Sequence, residues 1–101
     1  MIFCEIILEG SSQRELDTEI KFNIAAARAD GAELIALTAE GDALPAAQRV
    51  LRLLKREGTI QFFVMCSALS EEKRESEFLL NKYGEYISEG SSDANKVYVR
   101  I

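Results

Sequence analysis

The chain has 101 residues, 48% of them hydrophobic and 29% charged, and carries a formal net charge of −5. Such a length supports one core in a single α/β domain over residues 1–101, and the apolar fraction excludes extended disorder. Histidine is absent, which removes the commonest general base, the usual metal ligand and any histidine-activated nucleophile, so an ordinary hydrolase is not expected, and no catalytic residue, metal ligand or cofactor is assigned.

Residues 2–8 alternate, with Ile2, Cys4, Ile6 and Leu8 on one side and Phe3, Glu5 and Ile7 on the other. The pattern predicts a strand whose first side faces the core. The run is too short, and too interrupted by Glu5, for a signal segment or a membrane span, and a cytoplasmic protein is expected. Glu9-Gly10-Ser11-Ser12 breaks the strand. Ser12 and Glu15 then have the spacing of a capping box that opens a helix over 13–29. Leu16, Ile20, Ile24 and Ala27 share its buried face, and Gly31 supplies the left-handed stop. Phe22 lies off that stripe, as a boundary residue or a partner contact.

The run 32–39 places Leu34, Ile35, Ala36 and Leu37 in succession. Only a strand covered on both faces tolerates that, so this is the predicted central strand. Asp42 is placed to cap a second helix, with Pro45 in its first turn, Leu44, Ala47, Val50, Leu51 and Leu54 on its apolar arc, and Gly58 at its end. Opposite that arc, at about 100° per residue, Arg49, Arg52 and Arg56 fall close together with Lys55 alongside. Residues 45–58 hold four bases and one acid, whereas residues 1–44 hold nine acids and three bases. The positive charge is therefore concentrated in one helix.

Residues 60–66 read as a third strand, with Ile60, Phe62, Val64 and Cys66 on one side and Gln61, Phe63 and Met65 on the other. Ser70 should cap a third helix, with Glu71 and Glu72 in its first turn and Leu79, Leu80 and Tyr83 as its apolar contacts. Residues 85–88 read as a short strand and 90–93 as a loop. The last strand, 96–101, should turn Val97, Val99 and Ile101 inward and Lys96, Tyr98 and Arg100 outward, at or near a sheet edge. Cys4 and Cys66 lack metal spacing and read as buried free thiols.

The succession β-α-β-α-β-α-β predicts a mostly parallel sheet of four to five strands with helices on one or both faces. On its outer face Glu5 and Gln61 alternate with Phe3, Ile7, Phe63 and Met65, which calls for cover by the third helix or by a second subunit. Ligands in such sheets favour the carboxyl ends of the strands. Glu9, Gly10, Ser11, Ser12, Thr38, Glu40 and Asp42 are the candidates there, as a phosphate or nucleotide cradle, as carboxylates for Mg²⁺, or simply as helix caps.

Ile6-Ile7-Leu8-Glu9-Gly10, closing a strand before a helix, resembles the opening of a Toprim domain. The resemblance implies a metal-dependent site at Glu9, but Val64-Met65-Cys66-Ser67-Ala68 offers no carboxylate where Toprim domains complete that site, so it reaches only a degenerate Toprim-like ligand binder. The stretch 31–54 resembles the strand and small-residue helix of Smr and Alba domains, which implies nucleic-acid contact through the second helix. Leu8-Glu9-Gly10 stands where Smr domains carry Asp-Leu-His-Gly, and the basic loops of Alba proteins are missing.

The expectation that follows is a non-enzymatic protein-interaction or self-association module, with a protein partner or a homodimer formed through Arg49, Arg52, Arg56, Phe63 and Tyr98. Nucleic acid is disfavoured by the acidic balance, and no membrane partner is expected.

Overall fold

Three strands of one direction and a fourth running against them build the sheet of this protein. A computed structural model describes residues 3–69, 74–87 and 95–101. The strands are Phe3–Ile7 (β1), Leu34–Thr38 (β2), Phe62–Met65 (β3) and Lys96–Arg100 (β4); the helices are Gln13–Ala29 (α1), Ala43–Glu57 (α2) and Arg74–Tyr83 (α3). Short 3-10 turns follow β3 at Cys66–Ala68 and α3 at Gly84–Tyr86. The sheet order is β1-β2-β4-β3. β1 pairs β2 in parallel, while β4 pairs both β2 and β3 antiparallel.

The sheet is thus mixed, which corrects the mostly parallel sheet read from the element succession. The cause lies in the third connection. Tyr83 donates to Glu33, at the amino end of β2, whereas the Asn95 carbonyl accepts from Ala39 N–H at 2.9 Å, beyond the carboxyl end of that strand. The chain therefore re-enters the sheet from the carboxyl side and must run against its neighbours.

On one face, α1 and α2 lie side by side. Leu16, Ile20, Ile24 and Ala27 of α1, and Ala46, Ala47, Val50, Leu51 and Leu54 of α2, are buried there against Ile35, Leu37, Val97 and Val99. Each fully buried Leu or Ile contributes roughly 1.5–3 kcal/mol relative to exposure. Leu44, read as part of the α2 arc, is only half-buried. Gly58 closes α2 with a left-handed φ of 80°, and Thr59 N–H reaches back to Leu54 O at 2.9 Å. Such a φ is costly for any residue with a Cβ, which is why glycine ends the helix here.

On the other face, α3 and the turn after it cover Leu34, Ala36, Val64 and Tyr98 with Leu79, Tyr83 and Ile87. Phe3 stacks on Tyr86 at 5.6 Å between centroids, and Phe62 meets Phe78 edge-on at 5.9 Å. The last strand lies one place in from the edge strand β3, at the near-edge position its sequence suggested. Two readings are corrected by this layer. Tyr98, read as outward, is only 2% exposed beneath α3. Phe63 and Met65 belong with Val97 and Val99 on the α1–α2 face, not with Phe3 and Glu5, because the register pairs Phe63 with Val99 and Met65 with Val97. Both sides of β3 are apolar, so alternation alone could not assign them.

Leu80 is exposed at the outside of α3, where an apolar contact was expected, and Tyr86 lies in a 3-10 turn where a short strand was expected. Ser70, Glu71 and Glu72, the expected start of the third helix, and the loop 90–93 lie outside the described residues. No helix among the described residues is long and apolar enough to cross a membrane.

Candidate functional site

The parallel direction of β1 and β2 brings residues 9–12 and 38–42 to one edge of the sheet. Their local chemistry is mostly internal. Ser12 is the N-cap of α1: its hydroxyl accepts from Glu15 N–H at 3.2 Å and donates to the Glu15 carboxylate at 2.8 Å. Asp42 occupies the N-cap position of α2 but makes no side-chain cap bond, and it is exposed with Glu40 and Gly41. Thr38 is half-buried at the end of β2, in register with Ile7.

The loop amides that would form a phosphate cradle already hold an anion from within the chain. Glu9 N–H donates to the Glu19 carboxylate at 2.9 Å (Oε2) and 3.1 Å (Oε1), and Gly10 N–H donates to Glu19 Oε1 at 2.8 Å. Charge-assisted bonds of this kind are about twice as strong as neutral ones. Gly10 makes room for them: a Cβ there would stand 3.0 Å from Glu15 Cβ and 3.1 Å from Glu19 Oε1. Glu19 was not among the residues singled out from the sequence. Its signal is positional, two turns into α1 beside the buried Leu16 and Ile20, where a side chain leaning toward the helix start meets the preceding loop.

An open groove of about 510 Å³ runs along this junction, lined by Glu9, Gly10, Arg14, Glu15, Thr18 and Glu19. Of the seven residues expected to converge on a ligand, only Glu9 and Gly10 line it; Ser11, Ser12, Thr38, Glu40 and Asp42 do not. Among the described residues, no three Cys, Asp or Glu side chains gather to hold a metal ion.

The basic face of α2 is a different kind of surface. Arg49, Arg52, Lys55 and Arg56 are all exposed. Arg49 Nε donates to Gln13 Oε1 of α1 at 3.0 Å. The ion pairs among the described residues are Lys21–Asp17, Lys82–Glu33, Lys96–Glu5 and Arg100–Glu33, and none involves the α2 cations. No acid among the described residues therefore offsets their charge at short range. Of the apolar candidates beside them, Phe63 is half-buried at the β3 edge and Tyr98 is enclosed.

At the opposite end of the sheet, Glu33 joins α3 to the strands. Lys82 Nζ reaches its carboxylate at 3.3 Å, Tyr83 OH at 3.4 Å and Arg100 Nη2 at 3.6 Å. The hydrogen bond from Lys82, aided by the charges of Lys82 and Arg100 and by the Tyr83 hydroxyl, holds the Glu33 carboxyl below the ordinary carboxylate range despite some desolvation. This cluster ties layers together. Only the register Leu34 to Arg100, which no sequence spacing reveals, brings it about.

No family model, no curated protein and no solved structure matches this chain.

Proposed function

We propose that this protein is a non-enzymatic protein-interaction module that docks an acidic partner on the outer face of α2. The observation that carries the reading is the set of four exposed cations, Arg49, Arg52, Lys55 and Arg56, with no acid among the described residues paired to them. Uncompensated charge on one helix face raises association rates and selects partners of opposite sign. Ligand binding at residues 9–12 is the weaker reading, because Glu19 already satisfies the loop amides.

Binding of fluorescent poly-glutamate, followed by anisotropy over a salt series, tests the proposal. The protein should bind it, more weakly as salt screens the contact. Replacing Arg49, Arg52 and Arg56 together by Glu should abolish binding while leaving the circular dichroism unchanged. Unchanged binding by that variant would sink the reading. Equal or tighter binding of duplex DNA would transfer the same face to a nucleic-acid role. Native mass spectrometry of the free protein decides whether a second copy is itself the acidic partner.

A further inference from the structure

The β3 edge of the sheet adds a second element to that surface. Ala39 N–H donates to Asn95 O, and Ile101 N–H to Glu33 O at 3.1 Å, so the odd-numbered residues of the last strand turn their backbone toward β2. Antiparallel strands alternate the direction of these groups. Tyr98 and Arg100 therefore face β3 and engage their register partners Val64 and Phe62. Phe63 is left with its N–H and C=O, and Met65 with its N–H, directed away from the sheet, while the Met65 carbonyl opens the Cys66–Ala68 turn. Gln61, just before the strand, turns its N–H back to Arg100 O at 2.9 Å, so the open edge begins at Phe63.

Natural edges are guarded by charge, proline or a bulge. The Phe62–Met65 edge has no charged residue and no proline. Beside it lies a hollow of about 280 Å³ lined by Phe63, Val64, Met65, Ala68 and Glu75. β1, at the other edge, carries the exposed Glu5, paired with Lys96 at 3.2 Å.

The helix above this edge determines what would fit. Gln48 Nε2 donates to Met65 Sδ at 2.8 Å, which identifies the side of α2 that overlooks β3. Arg52 and Lys55 follow Gln48 at i+4 and i+7 and share that side. Because α2 leads from the carboxyl end of β2 to the amino end of β3, it runs against β3, and the two cations lie along the length of the open edge.

We propose that the β3 edge receives an extended acidic segment of a partner protein as a fifth strand, its backbone bonded to Phe63 and Met65 and its alternate acidic side chains beneath Arg52 and Lys55. The proposal rests on the docking role of α2 and specifies its partner. In an added strand every second side chain points to the α2 face, so an alternating acidic pattern meets both cations at once. Pairing with the same edge of a second copy is opposed by charge, since it would bring Arg52 and Lys55 toward their own counterparts.

The test uses a terminally blocked peptide alternating glutamate with valine, with its lysine–valine counterpart as control. Amide exchange followed by NMR should show Phe63 and Met65 exchanging fast in the free protein and slowly with the acidic peptide only. Replacing Arg52 and Lys55 by Glu should weaken binding roughly tenfold or more, given the modest worth of each exposed pair. Met65→Pro, which an edge strand tolerates, should abolish binding; if that variant fails to fold, amide exchange in the unmodified protein decides. Peptide binding that depends on Arg52 and Lys55 without slowing Phe63 and Met65 overturns the fifth strand while leaving the α2 face standing. Absence of binding overturns both, and slow exchange at those amides in a dimeric free protein assigns the edge to a second copy.

Discussion

Single residues decide how the two ends of this sheet behave. At the carboxyl end, Glu19 places a carboxylate where a bound phosphate would have been sought, so Glu9 and Gly10 spend their N–H groups within the chain. The glycine was visible in the sequence, but its occupant was not, because residues 10 and 19 meet only after α1 has formed. At the amino end, Glu33 is held ionised by Lys82, Arg100 and Tyr83. Its folded pKa lies below its unfolded value. The stabilisation is therefore fully present above the unfolded value and is lost as pH falls through the folded one. Glu33→Gln should flatten the acid side of the stability profile. Thermal midpoints measured downward from neutral pH check this: the unmodified protein should lose stability more steeply than the variant once its carboxyl begins to protonate, and parallel profiles would contradict it.

At the scale of elements, the helices were more legible than the strands. α1 follows from Leu16, Ile20, Ile24 and Ala27 at helical spacing and from the cap at Ser12, all of them local signals. Ser12→Ala should cost about 1 kcal/mol, the usual worth of an N-cap, measured as a shift in the urea midpoint without a change of slope. A much larger loss, or a loss of cooperativity, would show that Ser12 serves more than the helix. Asp42, which looks equally well suited in the sequence, makes no such bond. β3 shows the limit of local reading. Phe62, Phe63, Val64 and Met65 are apolar on both sides, so only pairing with β4 settles that Phe63 and Met65 lie on the α1–α2 face. That assignment also leaves their backbone at the open edge, under the cations of α2.

For the whole molecule, two cores share one sheet. Ile35 and Leu37 of β2 face α1 and α2, while Leu34 and Ala36 of the same strand face the α3 layer. Because a single strand serves both cores, loss of either should be felt by the other. Leu79→Ala, at a fully buried position of α3, should cost about 2–5 kcal/mol and lower the urea midpoint while unfolding remains a single transition. Two separate transitions would instead mean that the α3 layer opens by itself. The sequence alone determined the mixture of strands and helices, the doubly covered central strand and the segregation of positive charge on α2, since each follows from periodicity or composition within a short window. Only the tertiary structure decided the direction of β4, the burial of Tyr98, the face of Phe63 and the meeting of Glu19 with Gly10. All four depend on which distant segments become neighbours, and a strand with apolar residues on both sides satisfies more than one such arrangement until its hydrogen-bond register is formed.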